Sequence, residues 1–180
     1  TGQQGGGVAR ELLTLGHGVR AFVRDSDSGA AQSLVQLGAT LAEGSFNDYD
    51  SIKTAAEGVD SIFIVSNMYE GIDQESIQGI RMVDAAVAAG VEHIVFSSVA
   101  GANVNSGVPH FDSKFKIEQH LREVATNWSI VAPVFFMDNW TFEWNLPPLV
   151  TGKVRQAFSP STTLQMISSA DIGRFNAFVI

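Results

Sequence analysis

Apolar residues follow two different spacings along the chain, and the two spacings alternate. Val8, Leu12 and Leu15 recur at helical spacing directly after a glycine-rich start. Residues 61–65 form a continuous apolar run, which is typical of a strand buried on both faces of a parallel sheet. The next repeat is helical again. Its predicted inward stripe consists of Ile77, Ile80, Val83 and Val87.

Turn signals divide this pattern into separate elements. Glycines follow most of the predicted helices, where they close the last turn, and Asp48 is placed to cap one helix start. Pro147 and Pro148 predict a loop, and we expect a hairpin-like stretch after it. The predicted strands are 19–24, 39–44, 61–65, 93–96 and 128–132, and the predicted helices are 5–15, 29–37, 49–57, 73–89, 109–125 and one that opens at Ser168.

This order of elements predicts an α/β fold with a doubly wound parallel sheet. The length of 180 residues suits one domain. The sequence starts inside a glycine turn at Thr1 and stops inside an apolar helical run at Ile180. We therefore expect residues 1–180 to be one domain truncated at both ends, with a first strand before Thr1 and a further region after Ile180.

The composition argues against several classes of binding partner and of catalytic chemistry. The net charge of −8 argues against a general nucleic-acid surface, because such a surface needs a basic footprint. The absence of cysteine excludes disulfides and thiol catalysis. No apolar run is long enough to cross a bilayer. We expect a cytoplasmic protein with no membrane segment, no metal and no direct nucleic-acid partner.

The first candidate site is the glycine-rich turn that opens the first predicted helix. Thr1, Gly2, Gln3, Gln4 and Gly5 precede the helical repeat. Glycine lets a backbone approach an anion closely, and the free N–H groups of a first helical turn point toward it. The turn is therefore a candidate phosphate site, and the alternative is an ordinary flexible turn.

A second candidate is Arg24, which ends the predicted strand 22 residues after Gly2. In a dinucleotide-binding fold this position reads the adenosine ribose, and an arginine there accommodates a 2′-phosphate. Arg24 therefore favours NADP, whereas Asp25 and Asp27 would oppose a phosphate. The alternative is that the arginine is simply solvated.

Further candidates lie at later strand ends and on one helix. Ser66 and Asn67 end the strand over 61–65, and the carboxyl ends of strands are where open α/β sheets bind ligands. His110 and Lys114 share a helical face with apolar residues, so that face points inward. An inward lysine needs a partner or a ligand, because an unpaired buried ammonium is costly. The alternatives are a polar turn for Ser66 and Asn67 and, for Lys114, a side chain that reaches solvent.

Several segments, in this order, resemble the NmrA-like family, atypical members of the short-chain dehydrogenase/reductase superfamily, and its NADPH-sensing branch. The matching segments are 1–6 with 8–10, 23–24, 63–67, 109–114 with Glu118, 136–139 and 169–173.

The resemblance implies a nicotinamide dinucleotide at the carboxyl edge of a Rossmann sheet, with NADP(H) favoured over NAD(H). Residues 1–5 would cradle the pyrophosphate, Arg24 would face the 2′-phosphate, and Lys114 would bond the nicotinamide ribose. Residues 136–139 would close over the nicotinamide end. The implied cofactor-binding residues are Thr1, Gly2, Gln3, Gln4, Gly5, Arg24, Ser66, Asn67, Lys114, Phe136, Met137, Asp138 and Asn139.

The resemblance leaves the activity open. Short-chain dehydrogenases carry a proton-donating tyrosine four residues before the lysine, and here that residue is His110. One reading is a redox sensor whose occupancy by NADP(H) changes the surface offered to a regulatory protein partner. Another is a reductase that passes hydride to a quinone or a similar small acceptor, with Lys114 and His110 as its catalytic residues. The histidine favours the sensor; a Rossmann domain that holds no cofactor is a third alternative.

Overall fold

Helices and strands alternate along the residues that the computed structural model describes, 1–142, 146–152, 159 and 161–180. The helices are α1 (Gln3–Thr14), α2 (Gly29–Gln36), α3 (Tyr49–Ala56), α4 (Ile72–Ala88), α5 (Pro109–Val124), α6 (Leu146–Val150) and α7 (Ser169–Val179). The strands are β1 (Arg20–Val23), β2 (Thr40–Glu43), β3 (Ser61–Val65), β4 (His93–Ser97), β5 (Trp128–Val131), β6 (Phe135–Phe136) and β7 (Met166–Ile167).

All pairs of neighbouring strands in the described residues are parallel, so the predicted α/β class is confirmed. The strands form three hydrogen-bonded ladders, β1-β2, β3-β4-β5 and β6-β7, rather than one continuous ladder. In the central ladder, β4 lies in the middle and is almost fully buried.

The prediction that β3 is buried on both faces is wrong for most of its length. Only Ile64 is fully buried in this strand, and its other residues are half-buried. The described residues pair β3 with β4 on one side only. The strand itself has the predicted bounds, 61–65.

The core lies between the central ladder and helices α4 and α5. Ile64, Ile94 and Phe96 from the strands pack with Ile117 and Leu121 from α5. The inward face predicted for α5 from its apolar residues is therefore confirmed, since Ile117 and Leu121 are fully buried.

The stripe predicted for α4 is confirmed in its middle and wrong at its ends, since Val83 is fully buried and Ile80 packs against the core but the outer two residues do not. Ile77 and Val87 are 45% and 39% exposed. The helix instead turns small and polar residues inward, because a close approach to α5 leaves little room: a Cβ on Gly79 would lie 2.2 Å from Cδ1 of Ile117. The buried residues of α4 are Glu75, Ser76, Gln78, Gly79, Met82, Val83, Ala85 and Ala86.

Helix α1 begins two residues earlier than predicted. Gly2 precedes the first helical residue, and the Gly6 N–H donates to the Gly2 carbonyl over 2.7 Å. Glutamine is a good helix former, so Gln3 and Gln4 extend the helix into the glycine turn. The end was predicted correctly: Gly16 takes the left-handed conformation (φ +85°) that closes the last turn.

Of the remaining turn predictions, the cap at Asp48 is confirmed and the loop at Pro147 and Pro148 is wrong. Asp48 caps α3 as expected, accepting from the N–H groups of Asp50 and Ser51. Pro147 and Pro148 lie in α6 rather than in a loop, because proline is tolerated in a first helical turn whose N–H groups have no partner. The predicted hairpin-like stretch falls largely on 153–158 and 160, outside the described residues. Within the described part of the chain, no helix is long and apolar enough to span a membrane.

Candidate functional site

Polar side chains from four elements meet at the carboxyl edge of the central ladder. Ser66 follows β3, Ser97 ends β4, Gln4 lies in the first turn of α1, and Lys114 projects from α5. The Ser97 hydroxyl donates to Oε1 of Gln4 over 2.6 Å. This bond ties the start of α1 to the end of β4, so the glycine turn lies at the same edge as the strand-end serines.

Lys114 lies inward, as its place on the helix predicted. Its Nζ is 3.0 Å from Oγ of Ser66 and 3.4 Å from the Ser66 carbonyl oxygen. It also pairs with Oε1 of Glu75 at 3.1 Å, and its side chain is 13% exposed. The ammonium is therefore held at the end of β3 and does not extend into solvent. The aromatic ring of Phe96 lies beneath it, with its centroid 5.8 Å from Nζ.

Glu75 on α4 is the partner of Lys114, and sequence reasoning missed it. Its side chain is 1% exposed. Oε1 also accepts from the Ser66 hydroxyl at 3.0 Å, and Oε2 accepts from the Ser113 hydroxyl at 2.6 Å. A signal was present, because Glu75 shares a helical face with Gly79, Met82 and Ala86. The predicted stripe of α4 consisted of large apolar residues and therefore did not include Glu75.

A second buried carboxylate lies nearby but does not contact Lys114. Glu118 accepts from the Ser98 hydroxyl and pairs with Arg122, whose Nη2 is 3.0 Å from Oε2. The guanidinium of Arg122 lies 5.3 Å from the ring centroid of Trp128. Glu75 and Glu118 thus have different partners, although both lie on the helices that pack against the β3-β4-β5 ladder.

The geometry of the glycine turn leaves space for a ligand. Gly2 has φ −71°, which any residue adopts, so its backbone does not require glycine. Among the described residues, no atom lies within 4 Å of where a Cβ on Gly2 or on Gly5 would stand. The first N–H groups of α1 face this open side without a capping side chain from Gly2. A phosphate that approaches the backbone closely fits this arrangement.

Arg24 lies at the end of β1. This strand belongs to the β1-β2 ladder, whereas the Lys114 cluster lies at the end of the β3-β4-β5 ladder. Arg24 is exposed, and within the described residues it has no ion pair or hydrogen bond. The neighbouring backbone already holds a carboxylate, because the Ser26 N–H donates to Oε2 of Glu43 over 3.2 Å. The guanidinium is therefore available to an anion, although Asp25 and Asp27 follow it directly in the chain.

Asn67 and His110 flank the Lys114 cluster along the chain. Oδ1 of Asn67 accepts from the Tyr69 N–H over 3.2 Å, which fixes the turn after β3. The His110 ring packs edge-on against Phe111 with centroids 4.7 Å apart. Its carbonyl oxygen lies 3.0 Å from the Ser113 hydroxyl, which donates over a shorter distance to Glu75.

The segment 136–139 continues from the carboxyl end of β5, where the Ala100 N–H donates to the Pro133 carbonyl over 2.9 Å. Phe136 belongs to β6, and Met137 is exposed. Oδ2 of Asp138 accepts from the Ser169 N–H over 2.7 Å, and this bond holds the pKa of Asp138 below its usual 3.8. The aspartate therefore joins this segment to the start of α7. Asn139 follows in the same 3-10 turn, Met137–Thr141.

Parallel strands, crossing helices and a polar carboxyl edge define a Rossmann-like α/β protein. No group of three or more potential metal ligands occurs within the residues described. A profile of the NmrA-like family matches residues 1–180, and the chain belongs to that family.

Relatives include both regulators and reductases. The chain is 32% identical over 158 residues to the NmrA-like family domain-containing oxidoreductase FrzB of Cladobotryum sp., covering 79% of this chain and 46% of FrzB. It is 27% identical to NmrA, a negative transcriptional regulator solved with NADP, over 77% of this chain and 44% of NmrA, with a TM-score of 0.69. The same regulator has been solved with NAD.

The fold extends to a dye reductase. Citrobacter sp. triphenylmethane reductase, solved with NADP(H), has a TM-score of 0.86 at 22% identity and covers 99% of this chain and 62% of its own. The chain spans about half the length of the curated relatives it matches.

Proposed function

We propose that residues 1–180 are one nucleotide-binding domain that holds a nicotinamide dinucleotide, NADP(H) in preference to NAD(H), and acts as a redox-responsive regulator in the cytoplasm. The observation that carries the proposal is that the glycine turn of α1 and the inward Lys114 lie at the same sheet edge: the Gln4–Ser97 bond holds α1 at the end of β4, and Lys114 bonds Ser66 at the end of the neighbouring β3. NmrA, which is a regulator solved with NADP and with NAD, supports the same class of ligand.

Each end of the dinucleotide has a candidate partner. Residues 1–5 offer free N–H groups and an open backbone to the pyrophosphate. Arg24 offers an unpaired guanidinium to a 2′-phosphate. Ser66 and Asn67 line the path from the pyrophosphate, and Lys114 donates to the hydroxyls of the nicotinamide ribose. Residues 136–139 cover the nicotinamide end.

When it is bound, the dinucleotide supplies or accepts a hydride. In the regulatory proposal, binding orders the loops at the carboxyl edge and so changes the surface offered to a protein partner, because a ligand stabilises the conformation it binds better. His110 in the place of a tyrosine favours this function over turnover.

The second candidate is an oxidoreductase that passes hydride to a quinone or a similar small acceptor. The relative FrzB, which is named an oxidoreductase, favours it. In that function Lys114 orients the ribose, and His110, one turn earlier on α5, donates a proton to the reduced acceptor.

One experiment separates the two functions. The full-length protein is mixed with NADPH and a simple quinone; nicotinamide fluorescence reports binding, and loss of nicotinamide absorbance reports turnover. Binding without protein-dependent loss supports the regulator, and steady loss supports the reductase. Absence of binding to both NADPH and NADH contradicts both.

Lys114→Ala tests the site within the same assay. We expect its dissociation constant for NADPH to rise about tenfold or more, because a charged hydrogen-bond donor is removed. Lys116→Ala, an exposed lysine on the same helix, is the matched control and should bind as the wild type does.

A further inference from the structure

We propose that Glu75 is a positioning residue of the dinucleotide site: it holds the Lys114 ammonium where the nicotinamide ribose is bound. The inference rests on the proposed function, since it assigns Lys114 to the ribose. It adds a residue on α4 that no sequence motif of the site includes.

The contacts of Lys114 form a closed triangle. Nζ of Lys114 lies 3.1 Å from Oε1 of Glu75 and 3.0 Å from Oγ of Ser66, and the same two oxygens lie 3.0 Å apart. A lysine side chain has four rotatable carbon–carbon bonds and loses much rotamer freedom when it is fixed. The triangle fixes it before any ligand arrives, so less ordering is left for the binding step.

The carboxylate is itself fixed from a second helix. Oε2 of Glu75 accepts from the Ser113 hydroxyl at 2.6 Å, and the His110 carbonyl oxygen lies farther from that hydroxyl, at 3.0 Å. At 1% exposure Glu75 is out of reach of a ligand, whereas Lys114 keeps 13% of its side chain exposed. Glu75 therefore acts through Lys114 and does not contact the ribose.

The contact distances also indicate which lysine bond a ribose would replace. The bond from Nζ to the Ser66 carbonyl is the longest of the three, at 3.4 Å. A ribose hydroxyl that takes this donor leaves the Glu75 and Ser66 Oγ contacts in place. The buried carboxylate then keeps its charged partner in both states, which avoids the cost of an unpaired charge.

Glu118 provides a matched control because it is a second buried glutamate of the same region. It bonds Ser98 and Arg122 and does not contact Lys114. Glu118→Gln and Glu75→Gln therefore each remove one buried charge and keep the side-chain shape. Only the second change removes the partner of the lysine.

The experiment measures affinities of the full-length protein for NADPH and for adenosine 2′,5′-bisphosphate, which lacks the nicotinamide ribose. For Glu75→Gln we expect about tenfold weaker binding of NADPH and an affinity for the bisphosphate within about twofold of wild type. For Glu118→Gln we expect both affinities to stay within about twofold. Equal losses for both ligands in Glu75→Gln would overturn the positioning role.

A double variant gives a second readout that a merely structural role would not reproduce. If Glu75 acts through Lys114, then Glu75→Gln in a Lys114→Ala background causes no further loss of NADPH affinity. An additional tenfold loss there overturns the proposal. If the wild-type protein binds neither ligand, the proposed function itself is overturned. If the wild-type protein binds both ligands and Glu75→Gln binds them equally well, only the positioning role of Glu75 is overturned.

Ser113→Ala keeps the test falsifiable if Glu75→Gln folds poorly. It removes the bond to Oε2 of Glu75 without removing any contact of the lysine. We expect NADPH affinity to fall by a few-fold, with binding of the bisphosphate unchanged. An affinity for NADPH equal to that of wild type in a folded Ser113→Ala would contradict the positioning role.

Discussion

At the scale of single residues, Gly5 occupies a position that the protein itself does not reserve for glycine. It lies in the first turn of α1, and a Cβ there would meet no atom within 4 Å. A helical glycine costs roughly 0.5–1 kcal/mol relative to alanine. Under the proposed function, close approach of a phosphate accounts for the glycine.

Gly5→Ala should therefore separate stability from binding. We expect the free energy of unfolding to rise by roughly 0.5–1 kcal/mol and the affinity for NADPH to fall about tenfold or more. Chemical denaturation and fluorescence titration measure the two effects. Gly29→Ala is the control, because Gly29 opens α2 and its Cβ would also lie in open space. It should stabilise without changing affinity; unchanged NADPH binding by Gly5→Ala would contradict the phosphate role.

Arg24 is the residue that tests the choice between NADP and NAD. We expect Arg24→Ala to weaken NADPH binding about tenfold and NADH binding by less than about twofold, because only NADPH carries the 2′-phosphate. Titration with both cofactors measures the ratio. Arg20→Ala is a control that leaves this strand end unchanged, since the Arg20 guanidinium bonds the carbonyls of Ala55 and Glu57. Equal losses for the two cofactors in Arg24→Ala would remove the 2′-phosphate assignment.

At the scale of elements, α1 and α7 approach each other through backbone atoms. A Cβ on Gly173 would lie 2.7 Å from the carbonyl carbon and 3.0 Å from the carbonyl oxygen of Gly7. Backbone cannot move aside as the tip of a flexible side chain can, so the two helices must separate if Gly173 gains a side chain.

Gly173→Ala should accordingly lower the free energy of unfolding by about 2–3 kcal/mol. Gly7→Ala is the comparison, because its Cβ would come no closer than 3.3 Å, to the Ser169 carbonyl oxygen. We expect less than about 1 kcal/mol of loss there, since the gain in helix propensity offsets part of the strain. Urea denaturation measures the free energy of unfolding of both variants. If Gly173→Ala is as stable as Gly7→Ala, the two helices separate at little cost and the prediction is wrong.

Asp138 makes the contact of the 137–141 turn with α7 dependent on pH. Its pKa is lowered below 3.8 chiefly by the hydrogen bond from the Ser169 N–H, so the ionised form favours the folded state. This stabilisation is complete above the unfolded pKa of about 3.8 and is lost as the pH falls through the folded pKa.

We expect Asp138→Asn to be less stable than wild type by roughly 0.5–1 kcal/mol at pH 6, with the difference shrinking below about pH 4. Denaturation curves at a series of pH values measure it. Asp27→Asn, which changes an exposed carboxylate with no hydrogen bond among the described residues, should show no such trend. If the difference in the free energy of unfolding between wild type and Asp138→Asn stays constant down to pH 3, the effect comes from packing and not from the charge of Asp138.

At the scale of the whole molecule, ligand binding and stability are linked. A ligand that binds only the folded protein adds about 2.7 kcal/mol at one hundred times its dissociation constant. We expect NADPH to raise the melting temperature of the full-length protein in proportion to the logarithm of its concentration. Lys114→Ala should need about tenfold more NADPH for the same shift. A melting temperature independent of NADPH would argue against specific binding.

Sequence by itself determined the alternation of strands and helices, because that depends on local spacing, glycine ends and capping residues. It placed β3 and the inward face of α5 correctly, and it identified the family. The sequence also indicated Lys114 and the glycine turn as candidate site residues, because their residue types and spacing can be recognised without knowledge of the fold.

The tertiary structure decided how far the buried face of α4 extends and which polar groups meet. The two ends of the stripe predicted for α4 were misplaced, because close packing of Gly79 against Ile117 favours small residues over large apolar ones. The role of Glu75 followed only from the contacts that the fold brings together: Ser66 at the end of β3 and Ser113 and Lys114 on α5 surround its buried carboxylate. A buried charge is tolerated only with such partners, and partners distant in the chain are set by the fold rather than by local pattern.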